Sequence, residues 1–506
     1  MQQTTISESE FLEQISKGDL RFEDVQFNFP VELHANFDQE VVFDGCRFID
    51  EVSFANAAFL NRITISECHF HEDVSLALTS FERFAYCNDN VFHGRVDFRR
   101  TIFNTNVNFV GSIFRGEVFF DHTFFTGEVS FYKVQFLNNL YVHKAYLGTR
   151  ADFSYVTFSE DHTTSFFSIQ NNYPRMDGEL SRSTPPVLIF RFIYFPQKTL
   201  FTNVDLSHSI FQDCYLIPII FKNCSFAQIG GRSGFYQEVS RKIDMGTDSG
   251  MYDRIARGID TMTIRLNVDE RRDMQVGDIV TFCNNDDPTK QYPVFVTWVY
   301  RARDADQLFN RLTQRLQYTD FDEYRERVES FYTAEQIDEC GLMGFSFKQF
   351  DEYRHWENLE DVNRQMKRSL EDSRDWQKAG DFYVGEMNAM IKRLGVHGEK
   401  KMYRFAMRMY GALSGYCESF LHILVHMAAS FAVSILILLA FRPDLGFAAL
   451  FDANFKLFIP VFGNNTATLA ELGLVPWQNM IMEFQVVWYY LLWLFLALTL
   501  QRKFRR

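Results

Sequence analysis

His422, His426, Ser430 and Ser434 recur every four residues inside an otherwise apolar run. That spacing places them along one slowly drifting face of a helix. Polar side chains within hydrocarbon need a partner helix or water. Two kinds of chemistry are open to this stripe. It lines a water-filled pore, with the histidines at the cytoplasmic mouth, or it hydrogen-bonds packed helices to one another without conduction. For catalysis the chain offers little. No Ser/His/Asp constellation, phosphate loop or His/Cys cluster stands out, so no catalytic residue, metal or cofactor is expected. The eight cysteines lack metal-ligand spacing and read as buried, reduced thiols in a cytosolic body. A net charge of −14 argues against a general nucleic-acid binder.

The elements that must hold the stripe are two candidate membrane spans, residues 420–441 and 484–500. Trp488, Tyr489, Tyr490 and Trp493 suit an interfacial region. Lys400, Lys401, Arg404 and Arg408 precede the first span, and a basic tail, 501–506, follows the second. The connecting segment 442–482 holds only Arg442 and Lys456, which places both termini in the cytoplasm. The polar, acidic N-terminus has no charged-then-apolar leader pattern and agrees with that orientation. Within the connection, the apolar stretch 447–462 is expected to re-enter the membrane or lie along it. Two spans cannot enclose a pore, so conduction would require a homo-oligomer. Residues 349–415 read as a helical coupler. Leu359, Val362, Met366 and Leu370 there share one face at i, i+3, i+7 and i+11.

Upstream runs a ladder of large apolar residues. Phe98, Phe103, Phe109, Phe114, Phe120, Phe125, Phe131 and Phe136 alternate spacings of five and six, a period of eleven. Phe43, Phe48, Phe54, Phe59, Ile65 and Phe70 keep the beat earlier; Phe201, Leu206, Phe211, Leu216, Phe221 and Phe226 keep strict fives later. Neither helix nor plain strand explains this, and fixed self-similarity points to a solenoid. Two before the ladder residues stand small or β-branched ones, among them Cys46, Cys68, Thr101, Ser112 and Thr123. A narrow, side-chain-filled coil requires such an alternation. Two after the second Phe stand Asn61, Gly94, Gly116, Gly127 and Asn138, which are expected at left-handed corners. Residues 160–187 read as a loop thrown out from one coil. Ser7-Glu8-Ser9-Glu10 reads as a capping box. It would start a helix within residues 1–19 whose Phe11, Leu12 and Ile15 cover the open first coil.

This pattern resembles the pentapeptide-repeat family, a right-handed quadrilateral β-helix, over residues 20–230. At roughly 4.8 Å per coil, nine coils make a rod of about 45 Å. The resemblance implies a scaffold that presents a surface to a protein partner. Residues 245–347 have a different texture. Ile255 to Leu266 leads to Val276-Gly277-Asp278-Ile279-Val280, then an alternating strand Val294 to Val299, then helix, then Gly341 to Phe347. This order resembles the ASCH family, small PUA-like β-barrels that bind RNA or modified nucleosides. In that family a Gly-x-Lys-Thr-x-x-x-Arg stretch lines the ligand cleft, and Gly258, Thr261, Thr263 and Arg265 match it. Some members hydrolyse acetylated cytidine with the Lys and a Thr three further on, the position of Thr263. Here Asp260 holds the Lys position, and an acid cannot replace an amine base or nucleophile of that kind. The resemblance therefore implies binding without turnover. The planar fork of Arg265 suits phosphate or a base edge; a salt bridge within the domain is its other reading, and Thr261 and Thr263 have a plain strand reading.

The segments around Ala379-Gly-Asp381-Phe382-Tyr383 and Ser414-Gly415-Tyr416 resemble pentapeptide-repeat membrane proteins with an ion-channel-like C-terminal hairpin. Together these readings make a multidomain chain: β-helix, inserted ASCH-like domain, helical coupler and two transmembrane helices. They imply an oligomeric pore or membrane-perturbing effector in a bacterial inner membrane. A nucleotide, modified nucleoside or RNA would gate it, in stress or phage defence. The alternatives are a non-conducting membrane-tethered scaffold that binds protein partners, and a membrane-bound nucleoside amidohydrolase.

Overall fold

The ladder side chains stack in columns inside a four-sided β-solenoid. The computed structural model describes residues 4–148, 150–169, 187–238, 242–268, 271, 274, 276–302, 305–312, 321–398, 400–459 and 465–504. Among the described residues, four parallel sheets of eight, nine, nine and six strands form the walls, giving nine coils. Phe48 pairs with Phe70, and Phe70 with Phe92, so one coil is two eleven-residue repeats. The rings of Phe48, Phe70, Phe92 and Phe114 stack at 4.6, 4.7 and 4.8 Å between centroids. The small inward residue has its own role. The Thr101 and Thr123 hydroxyls donate to the Leu76 and Phe98 carbonyls of the coil beneath, both at 2.6 Å. Cys46, Cys68, Cys214 and Cys224 occupy the same position, with Cys46 Sγ 3.3 Å from Phe22 O. Burial pushes the thiols of Cys87 and Cys214 up to about 12.

The left-handed corners lie elsewhere than expected. Gly45, Asn56, Glu67, Leu78, Asp89, Arg100, Gly111, His122, Lys133, Lys144 and Tyr155 have positive φ, one every eleven residues. Each stands two after the first ladder residue of its repeat, not the second. A turn forms there, closed for example by Thr101 N–H donating to Phe98 O at 3.1 Å. Its third position requires positive φ when the turn is of type II. Non-glycine residues hold it at a cost on the order of 1–3 kcal/mol each, imposed by the ladders on both sides. Gly94 and Gly116 serve close approach instead. A Cβ on Gly94 would lie 2.6 Å from Asp73 N of the adjacent coil.

Both ends of the solenoid are covered, which hides edges that would otherwise pair with other chains. At the start, Glu8–Ser16 is a helix with the expected Ser7/Glu10 capping box. Phe11 is buried against Phe22, Phe27 and Phe29, whereas Leu12 is exposed. The strand Thr4–Ile6 pairs beside Val25–Phe27. At the other end lies the helix Glu352–Asp372. Its Leu359, Val362, Met366 and Leu370 are buried as one face. Gln365 accepts from Leu216 N–H at 2.7 Å and donates to Cys214 O at 3.0 Å, and Ser369 donates to Ile219 O. This helix therefore closes the rod. The compact units divide between Arg374 and Asp375, inside the stretch 349–415 expected as one coupler. The expected loop 160–187 is also narrower: Thr164–Phe167 and Val187–Arg191 are strands of the walls, and 170–186 lie outside the described residues.

Residues 242–349 form a second layer system in the same unit. Five strands run in the order Lys242–Thr247, Ile279–Asn284, Gln291–Ala302, Leu342–Gln349, Met262–Leu266. No ladder joins the two outer strands among the described residues, so the sheet is open where the resemblance implies a barrel. One core packs the helix Ser249–Ala256 against the sheet; another packs Ala305–Leu312, Phe321–Glu329 and Ala334–Cys340. A register shift between Val296 and Trp298 sends their side chains to different cores. Trp298 Nε1 then donates to Glu128 of the solenoid at 2.8 Å.

The second unit, Asp375–Arg506, is helical throughout its described secondary structure. Two of its helices are long and apolar enough to cross a membrane: Phe420–Phe441 as expected, and 476–501, longer at its start than 484–500. Helix continues to Phe504; Arg505 and Arg506 of the tail lie outside the described residues.

Candidate functional site

The edge strand Met262–Leu266 alternates its faces. Met262, Ile264 and Leu266 pack on the core of three helices, so Thr261, Thr263 and Arg265 share the other side. They line a cleft of about 640 Å³. The helix Ser249–Ala256 contributes Met251 and Arg254, and the segment from Tyr324 to Tyr332 contributes Arg327, Phe331 and Tyr332. The helix is held by its Asp248 cap, whose side chain accepts from Met251 N–H. It ends in a Schellman motif: Ile259 N–H donates to Arg254 O and Gly258 N–H to Ile255 O, both at 2.9 Å. Gly258, at φ +70°, is the left-handed residue of that motif. It lines a smaller neighbouring pocket of about 180 Å³ rather than the cleft. Three of the four expected ligand residues thus come together, and the fourth shapes the turn that leads into them.

The electrostatics of the cleft are unbalanced. Arg254 is bound by Asp260 through two contacts, 2.9 and 2.8 Å. Asp260 is therefore occupied as an ion-pair partner. Arg265 donates to Met251 Sδ at 3.2 Å and to Ile264 O at 3.1 Å. It makes no ion pair with a carboxylate among the described residues. Burial lowers its pKa from the ordinary guanidinium value, and Tyr332 partly offsets this. Thr263 is 3% exposed, and its hydroxyl has no partner among the described residues. Buried polar groups without partners are uncommon and ask for an explanation. Arg327 lies over the Phe331 ring at 5.2 Å. A desolvated fork, an unpaired hydroxyl and an aromatic wall can together hold an anionic group that carries a planar ring.

Sequence reasoning missed Met251, Arg327, Phe331 and Tyr332. A signal was present in part: Phe321, Tyr324 and Val328 recur at helical spacing just before Phe331-Tyr332.

The stripe in the first long helix is also brought together, but with partners in its own chain. Ser434 is buried and donates to Asn454 Oδ1 at 2.7 Å. Asn454 stands on the helix Phe447–Phe458, also accepts from Tyr489 OH at 3.1 Å, and donates to Phe431 O at 3.1 Å. Gln485 Nε2 donates to Ser430 Oγ at 2.7 Å. His422 and His426 both direct Nε2 at Ala412 O, at 2.8 and 2.9 Å. The segment between the long helices thus packs back onto the first of them through Asn454.

Comparison with known proteins addresses the solenoid. Residues 33–80 and 91–135 match the family described as pentapeptide repeats, in nine copies. The solenoid contains pentapeptide repeats. Among curated proteins none matches the chain. Two solved structures are similar to part of it. One is the crystal structure of hypothetical protein PH0355, 19% identical, TM-score 0.19, over 22% of this chain and 99% of that one. The other is the solution NMR structure of protein PF0455 from Pyrococcus furiosus, 17% identical, TM-score 0.18, over 22% of this chain and 98% of that one.

Proposed function

We propose that this chain is a membrane-tethered pentapeptide-repeat scaffold whose inserted ASCH-like domain binds a nucleotide, modified nucleoside or RNA without turning it over. The observation that carries the reading is the pair Arg265 and Thr263, two lining residues of one cleft that bring a desolvated guanidinium and an unpartnered buried hydroxyl. The absence of turnover rests on Asp260, an ion-paired acid where hydrolytic relatives have an amine. The tether rests on the two long apolar helices, with both termini on the cytoplasmic side of a bacterial inner membrane by their flanking cations. The rod leaves its walls for a protein partner.

Arg265→Ala should weaken nucleotide or RNA binding by about 1–3 kcal/mol, with Arg265→Lys between wild type and alanine because it keeps the charge and loses the fork. Equilibrium binding by the full chain reads this directly. Equal affinity in all three forms would move the site elsewhere, and release of cytidine from acetylcytidine would overturn the reading without turnover.

Tether is preferred to pore because Ser430 and Ser434 have hydrogen-bond partners inside the hairpin. In the reconstituted chain, Ser430→Cys and Ser434→Cys should resist water-soluble thiol reagents, with and without nucleotide or RNA. Reaction at both positions, accompanied by block of a measured current, would restore the oligomeric pore.

A further inference from the structure

The helix Lys401–Ser414 has an apolar and a cationic face that are largely uncovered by the described residues of its own unit. Met402, Phe405 and Met409 stand at i, i+3 and i+7, and all three are exposed, Met402 by 81% and Phe405 by 62%. Lys401, Arg404 and Arg408 repeat the same spacing one residue earlier, on the adjoining face. Arg404 packs beside Gly395. Lys400, Lys401 and Arg408 are exposed and make no ion pair among the described residues.

The last turn of this helix is fixed to the near ends of both long helices. Ala412 O accepts from His422 and His426 in the first turns of Phe420–Phe441. The Tyr410 ring lies 5.6 Å from that of Phe495 near the end of the other long helix. If those helices span a bilayer, the bonds hold Lys401–Ser414 at the depth where hydrocarbon gives way to headgroups. An apolar face bordered by cations is what an interfacial helix needs at that depth. Cations there are attracted by anionic lipid.

We infer that Lys401–Ser414 is an interfacial helix that docks on an anionic phospholipid surface, with Met402, Phe405 and Met409 among the acyl chains and Lys400, Lys401 and Arg408 against the headgroups. This rests on the tether reading of the hairpin. Charge complementarity selects the occupant: a protein partner would need an acidic, apolar patch, whereas an anionic leaflet supplies both features together.

The test uses the full chain reconstituted in vesicles of phosphatidylcholine, alone or mixed with phosphatidylglycerol. An environment-sensitive fluorophore is placed on Met402→Cys, on Phe405→Cys, or on Val433→Cys in the middle of the first long helix. Labels at 402 and 405 should be quenched by lipid-borne quenchers and spared by aqueous iodide, more completely with phosphatidylglycerol present. Lys401→Glu with Arg408→Glu should remove that preference, by about fivefold or more per charge. If 433 is in lipid while 402 and 405 are open to iodide, or shielded from both quenchers by protein, the interfacial role is overturned and the tether stands. If 433 itself is reached by iodide, the tether reading fails and this inference fails with it.

Discussion

Phe109→Ala or Phe120→Ala will each cost residues 1–374 about 3–5 kcal/mol of stability. Both side chains are fully buried. The Phe120 ring stacks 4.7 Å from Phe98, and Phe109 lies 5.4 Å from Phe131. The bore of the rod is filled by stacked side chains, so neighbouring coils cannot collapse into the vacancy without breaking the wall ladders. The pair should not be additive, because the two rings meet at 6.2 Å. A solenoid depends on contacts between adjacent coils, so the lesion should uncouple the coils on either side rather than soften the whole rod evenly. Urea unfolding followed by circular dichroism measures the loss. Wild-type midpoints in both variants would mean that the rings are not packed inside.

The second large effect belongs to the closing helix. Leu359→Ala and Met366→Ala will each cost about 2–5 kcal/mol, with the damage confined at first to the last coils. Leu359 and Met366 are buried completely. The helix also supplies Gln365 and Ser369 to backbone groups of residues 214–219 that no further coil can satisfy. Hydrogen exchange should therefore accelerate first in the strands Ile210–Gln212 and Ile220–Lys222, while the coils around Phe109 keep their protection. Arg368→Ala, on the exposed side of the same helix, should leave exchange unchanged. Uniform acceleration through all nine coils would contradict a local cap.

The two effects differ in how far they were legible. A column of phenylalanines announces itself, because the same environment recurs every coil and each repeat restates it. A cap occurs once. Its apolar stripe was readable from Leu359 to Leu370, yet the surface it covers lies well over a hundred residues earlier in the chain, at residues 211–219. By spacing alone the stripe reads as part of a helical coupler, 349–415.

By itself the sequence determined the coil period, the inward alternation of large and small residues, the first capping helix with its Ser7/Glu10 box, and the two long apolar helices. Those features follow from local spacing and composition. Tertiary structure alone decided the rest. It moved the left-handed corners to the Arg100 and His122 positions, because glycine serves both positive φ and close approach and sequence does not separate the two. It brought Met251, Arg327 and Phe331 to Arg265, since a cleft is made by elements that meet only after folding. It gave Ser434 its partner in Asn454, twenty residues on. A polar group in an apolar helix declares that it needs a hydrogen bond; which neighbour supplies it depends on how the helices pack.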